Sequence, residues 1–247
     1  MLRLIRDGFR TVLGFTLIVV ATILMGTLIL VLARIRPASK LIEGLARTWS
    51  RLFLAVAGLR YHTEGIERLG TERSYVIVSN HLSGLDPMLH IATMPVPVLF
   101  LAKKELFKLP IFGAAMRAIG VVETDRQGGV AAHTEINRQV KKVVELDRSL
   151  VIYPEGTRSR TAEMLPFKKG AFRIANDNAL TVVPVTTIGT AGAWRPGGKL
   201  LRGGRARVIV HEPIPVDGLD ASDIGRIRDQ ARETIAASYE SLREQPA

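Results

Sequence analysis

Apolar and polar positions divide the chain into two unequal parts. Residues 11–33 form an uncharged run rich in Leu, Ile and Val, with Arg3, Arg6 and Arg10 before it and Arg34 and Arg36 after it. As a helix rising about 1.5 Å per residue it would be roughly 34 Å long, against a bilayer hydrocarbon core of about 30 Å, so a membrane-inserted helix is predicted. The run is too long for a cleavable signal peptide, and no small-x-small cleavage site follows it. Basic residues at both ends leave its orientation unspecified. Pro37 and Ser39 mark a turn. Beyond it Leu41, Ile42, Leu45, Trp49, Leu52, Phe53 and Val56 recur at helical spacing, opposite Lys40, Glu43, Arg47 and Arg51. An amphipathic helix over 40–58 follows, of the kind that lies at a lipid–water interface; packing against a soluble domain is the competing expectation. Residues 1–58 are thus expected to be a helical hairpin that anchors the remainder.

From residue 59 the pattern changes to short β-branched runs separated by helical periods. Strands are predicted at 60–64, 74–79, 96–102, 120–126, 150–153, 181–188 and 206–211. Helices are predicted from Met88, over 110–119 and 131–147, over 167–176, and over 222–244, where Ile224, Ile227, Ala231, Ile235 and Tyr239 share a face. This alternation gives an α/β class, a central mixed β-sheet flanked by helices, occupying 59–247.

Composition narrows the partners. A formal charge of +11 and a pI near 10.4 point to something anionic: nucleic acid, a phospholipid surface or phosphorylated metabolites. The chain has no cysteine, which excludes disulfides, thiolate zinc sites, iron–sulfur clusters and a Cys nucleophile.

Chemistry concentrates at Asn80-His81-Leu82-Ser83-Gly84-Leu85-Asp86-Pro87, between a predicted strand and a predicted helix. Two readings of this stretch stand side by side. Asp86 can be an N-cap that accepts amides of the following turn, with His81 an ordinary loop residue. Alternatively the bend folds Asp86 onto one imidazole nitrogen, leaving the other to remove a proton from a substrate hydroxyl. Elsewhere there is no G-x-S-x-G elbow, no P-loop, no G-x-G-x-x-G and no H-E-x-x-H. His62, His90, His133 and His211 are scattered and read as surface or packed residues. Basic groups do follow predicted strands: Lys103 and Lys104, then Arg126, then Arg158 and Arg160. Loops at one edge of an open α/β sheet converge on a ligand crevice, so these cations can line a pocket beside His81.

The ordered blocks resemble the HX4D glycerolipid acyltransferases, specifically the 1-acyl-sn-glycerol-3-phosphate acyltransferases. Asn80-His81 through Asp86 looks like their first motif. Lys103-Lys104-Glu105-Leu106 with Pro110, Phe112, Gly113, Gly120 and Asp125-Arg126 is similar to the second. Tyr153-Pro154-Glu155-Gly156-Thr157-Arg158-Ser159 is similar to the third and Val183-Pro184-Val185 to the fourth, so the motif core spans 75–190. Glu123-Thr124 departs from the pattern, which usually has an apolar residue before Asp-Arg.

The resemblance implies acyl transfer from a thioester, acyl-CoA or acyl-carrier protein, to the 2-hydroxyl of lysophosphatidic acid, with no bound cofactor and no metal. His81 would be the base and Asp86 its orienter. Lys103, Arg126 and Arg158 would hold the acceptor's phosphate, with Glu155, Gly156 and Thr157 shaping that loop. A membrane location follows, with the catalytic domain at the cytoplasmic face of the inner (plasma) membrane against an anionic lipid surface, and no nucleic acid is expected. Two rival acceptors, glycerol-3-phosphate and a lyso-ornithine lipid, keep the same fold and chemistry. A non-catalytic basic membrane tether is the reading from another class.

Overall fold

The structure is a computed structural model that describes residues 2–36, 39–71, 73–124, 129–159, 161, 163–216, 220 and 222–243. Two helices open the chain, α1 (Leu2–Ile35) and α2 (Lys40–Val56). The α/β part then runs β1 (Leu59–Glu64), β2 (Val76–Ser79), α3 (Asp86–Thr93), β3 (Val98–Lys103), α4 (Phe112–Ile119), β4 (Val122–Thr124) and α5 (Gly129–Glu145). It continues β5 (Ser149–Ile152), α6 (Gly170–Asp177), β6 (Val182–Ile188), α7 (Thr190–Ala193), β7 (Gly204–Val210) and α8 (Ile224–Leu242).

The seven strands form one mixed sheet in the order β1-β7-β6-β2-β5-β3-β4. Strands β6, β2, β5, β3 and β4 are mutually parallel, β7 is antiparallel to β6, and β1 is parallel to β7. The C-terminal ends of the five parallel strands therefore share one edge, and the loops after β2, β3 and β5 all emerge there.

Both faces of the central strands are covered. Side chains alternate across a strand, and β2 shows this directly. Ile77 packs with Phe53, Leu54, Leu85, Leu89 and Met94 on one face. Val76 and Val78 pack with Val143, Phe172, Ile227 and Ile235 on the other.

Helix α1 is long and apolar enough to cross a membrane by length and composition. It nevertheless carries a buried stripe at Thr11, Gly14, Ile18, Gly26 and Ile29, spaced at helical intervals. Gly14 lies against Val56 and Gly26 against Ile111, so the two glycines permit close approach by α2 and by the turn before α4. Trp49 Nε1 donates to Thr22 Oγ1 at 2.9 Å, and Leu201 N donates to Thr11 Oγ1 at 2.9 Å. The opposite face, including Phe9, Val12, Val20, Leu24, Leu28 and Val31, is exposed and apolar. Helix α2 turns Ile42, Phe53 and Leu54 into the protein, and leaves Leu41 and Leu52 outside. Its main apolar stripe is thus a packing surface rather than a lipid-facing one.

Candidate active site

Strand β2 ends in a rigid turn. Asn80 behaves as a substitute strand partner: its Nδ2 donates to Thr187 O and its Oδ1 accepts Thr187 N, both at 2.8 Å. His81 comes next, and its Nδ1 lies 2.8 Å from Asp86 Oδ2. The same oxygen accepts Leu82 N at 2.7 Å and Ser83 N at 2.8 Å, while Oδ1 accepts Thr190 Oγ1 at 2.6 Å. With all of these donors pointing at the carboxylate, Nδ1 carries the imidazole proton and Nε2 keeps its lone pair. Asp86 has no exposed side-chain surface, whereas the His81 side chain retains 13%.

The capping alternative fails in a specific way. Asp86 is itself the first helical residue of α3, its N-cap neighbour Leu85 makes no side-chain cap, and the amides Asp86 binds precede it in the chain. The carboxylate is committed to the bend, the imidazole and Thr190, and caps nothing downstream.

The loop after β5 grips the main chain of His81. Glu155 Oε1 accepts His81 N at 2.7 Å and Oε2 accepts Leu165 N at 2.9 Å, while Ser159 N donates to His81 O at 3.1 Å. Glu155 is only 4% exposed. Burial pushes its carboxyl up from the usual range, and the two amides partly offset that. Glu155 therefore lies beneath the loop as a support for His81, whereas the resemblance had suggested a place in the acceptor site. Gly156 turns the loop with φ +73, in the left-handed region that favours glycine, and Lys168 Nζ would lie 2.9 Å from a Cβ there.

Thr157 and Arg158 are exposed on the same loop. Arg158 Nη1 sits 3.4 Å from where a Cβ on Gly84 would be, so this guanidinium lies against the bend that holds the imidazole. Lys103 ends β3 at the same sheet edge and is exposed. Arg126 lies outside the described residues, as do the strand–loop positions 125 and 126 predicted to extend β4. Among the described residues no group of three or more His, Cys, Asp or Glu could hold a metal ion.

Four further residues meet the site: Tyr153 from within the third block, and His90, Thr190 and Trp194 from positions that no sequence pattern marks. The Tyr153 ring stacks on the His81 imidazole, centroids 4.0 Å apart and planes 15° apart. Its hydroxyl lies 3.0 Å from Nδ1 of the fully buried His90. Burial drives the His90 pKa down to about 4 and lifts that of Tyr153 well above its ordinary value, so both are neutral. Thr190, at the start of α7, reaches Asp86 from just beyond the end of β6. Trp194 O accepts Ser83 Oγ at 2.7 Å, and its ring closes over Gly84.

A family model described as Acyltransferase matches residues 60–188. The chain is 33% identical over 196 residues to human 1-acyl-sn-glycerol-3-phosphate acyltransferase beta, covering 79% of this chain and 70% of that protein. It is 30% identical over 204 residues to the 1-acyl-sn-glycerol-3-phosphate acyltransferase of Saccharomyces cerevisiae, covering 82% and 67%. The 1-acyl-sn-glycerol-3-phosphate acyltransferase of Cocos nucifera is 32% identical over 215 residues, covering 85% and 68%. The chain thus spans about two thirds of the length of these relatives. The crystal structure of the 1-acyl-sn-glycerophosphate (LPA) acyltransferase PlsC from Thermotoga maritima matches with a TM-score of 0.87 over 99% of both chains, at 24% identity, and shares the fold.

Proposed function

This chain belongs to the acyltransferase family, and on that footing we propose that it transfers a fatty acyl group from an acyl thioester to the 2-hydroxyl of 1-acyl-sn-glycerol-3-phosphate, giving phosphatidic acid. The observation that carries the proposal is the 2.8 Å pairing of His81 Nδ1 with the buried Asp86 carboxylate, at the edge where the parallel strands end. His81 Nε2 takes the proton of the acceptor hydroxyl as its oxygen attacks the thioester carbonyl. The tetrahedral intermediate collapses with cleavage of the C–S bond, and the imidazolium returns the proton to the leaving thiolate. Asp86 holds the imidazole in the required tautomer and stabilises its charged form. Base catalysis of this kind contributes about 10² to 10⁴ in rate.

Arg158, with Lys103 and Arg126, binds the acceptor's phosphate, the guanidinium fork suiting it better than a point charge. Thr157 and Gly156 shape that loop. The donor is acyl-CoA or acyl-carrier protein. The exposed face of α1 enters lipid and residues 1–58 hold the α/β domain at the membrane, where the acyl chain of the lyso-lipid acceptor lies. We assign the catalytic domain to the cytoplasmic face of the inner membrane, where the basic surface meets anionic headgroups.

The test is a panel of labelled acceptors (lysophosphatidate, glycerol-3-phosphate and lyso-ornithine lipid) offered to purified protein in micelles with acyl-CoA and with acyl-carrier protein. Phosphatidic acid formation that disappears in a folded His81→Ala variant is expected. Full activity in that variant removes the base assignment, and product only from another acceptor reassigns the substrate.

A further inference from the structure

Behind the His81 imidazole runs a chain of buried hydrogen bonds that the proton transfer itself does not use. Its direction follows from its far end. The carbonyl of Asn80 can only accept, so Ser79 Oγ donates to it at 3.2 Å. The one proton of Ser79 is then committed, and Thr187 Oγ1, 3.2 Å away, donates to Ser79. With the Thr187 proton spent in turn, His90 Nε2 must be the donor across its 3.2 Å contact with Thr187 Oγ1. A neutral His90 protonated at Nε2 has a bare Nδ1, and the Tyr153 hydroxyl donates to it at 3.0 Å. Every proton is assigned, and the path closes on itself: Tyr153 stacks on His81, and His81 is peptide-bonded to Asn80, the terminal acceptor.

We propose that Tyr153 is a positioning residue for the base: its ring, pinned at the hydroxyl by His90, is the platform that fixes the plane of the His81 imidazole. A hydrogen bond at Nδ1 holds one edge of that ring and leaves it free to swing about the bond. A neighbouring ring 4.0 Å away and nearly parallel removes that freedom and keeps water from one face. It also offers a π-face to the imidazolium as positive charge develops. The proposal rests on His81 being the base.

The experiment compares Tyr153→Met and Tyr153→Leu, which lack the ring, with Tyr153→Phe, which restores it, and with His81→Ala. Each is assayed in micelles with oleoyl-lysophosphatidate and with oleoyl-CoA or oleoyl-acyl-carrier protein, alongside its thermal unfolding midpoint. Misplacement of a reacting group by about 1 Å costs on the order of 10²-fold, so kcat should fall about tenfold to hundredfold in the ring-less variants with acceptor KM unchanged. Tyr153→Phe, which restores the ring without the hydroxyl that pins it, should recover only part of the loss. Folded ring-less variants with wild-type kcat, or a loss confined to KM, overturn the role of Tyr153; an active His81→Ala overturns the base assignment instead. If neither ring-less variant folds, Thr187→Val breaks the chain at its middle. It should alter the ¹⁵N signature of the His90 tautomer and lower kcat at constant KM, and an altered signature with unchanged kcat overturns the proposal.

Discussion

Glu155 Oε1 accepts the backbone N–H of His81 at 2.7 Å, so an acid on one loop sets the position of an imidazole on another. Glu155 and Arg158 stand three residues apart, and one faces inward while the other faces solvent. Their substitutions should separate accordingly. Glu155→Gln keeps one acceptor oxygen but turns an amide N–H₂ toward His81 N or Leu165 N. A buried donor left unsatisfied costs about 1–3 kcal/mol, so a lower unfolding midpoint and a reduced kcat are expected, with acceptor KM unchanged. Arg158→Ala should instead raise acceptor KM about tenfold with little change in stability. Steady-state kinetics and thermal melts of both variants check this.

Thr190→Val removes the hydroxyl that holds the outer oxygen of Asp86 at 2.6 Å. Hydrogen bonds to charged groups contribute about 1.5–3 kcal/mol, so a fall in kcat of about tenfold or more is expected. Thr190→Ser, which keeps the donor, should stay near wild type. Equal activity of the Val and Ser variants would show that Asp86 needs no support from α7.

His90 predicts a pH dependence of stability. Burial lowers its pKa from 6.5 to about 4, so the folded chain binds this proton less readily than the unfolded one. A depressed folded pKa gives stability that is present above the unfolded value and is lost as pH falls through the folded value. For His90 that loss runs from about pH 6.5 down to about pH 4 and amounts to roughly 3 kcal/mol. Unfolding midpoints across this window should decline less steeply for His90→Gln than for the wild type, and parallel curves would contradict it.

The exposed and buried faces of α1 should respond differently. Leu24→Asp with Leu28→Asp places charge on the outer face, where a carboxylate at mid-bilayer costs about 2.5–3.5 kcal/mol per residue. Co-sedimentation with vesicles should drop while the unfolding midpoint holds. Gly26→Leu acts on the inner face, where even a Cβ would come within 2.8 Å of Ile111 Cγ2. There the midpoint should fall.

Much of the site was legible because its residues are close in sequence. His81 and Asp86 lie within one bend, and the loop from Glu155 to Arg158 sits in one run after the short apolar strand Leu150-Val151-Ile152. The α/β alternation gave the mixed sheet for the same reason. What escaped is what reaches the site from a distance. Thr190 touches Asp86 across 104 positions and belongs to a helix of four residues, too short to leave a periodic pattern. His90 looks like any packed histidine until Tyr153 is found at its ring, 63 positions away. Glu155 was expected at the acceptor site because a charged residue in a polar loop resembles a ligand contact, and its burial beneath His81 is what the sequence does not display. The amphipathic stripe of α2 was ambiguous by nature, since lipid and a protein core select the same residues.

The docking of α1 has a consequence for the order of events during synthesis. Thr11 meets its partner Leu201 across 190 residues of chain, and β1, just after α2, is held by β7 through pairs such as Glu64–Arg207, 143 residues apart. At the usual elongation rate of about 5–20 residues per second, α1 precedes that partner by about 10–40 s. Through that interval Thr11 has no Leu201 amide to accept, while the apolar length of the helix is already complete. On the proposed membrane reading, the helix is available to lipid before its own domain is complete, and the acyltransferase fold then closes onto it.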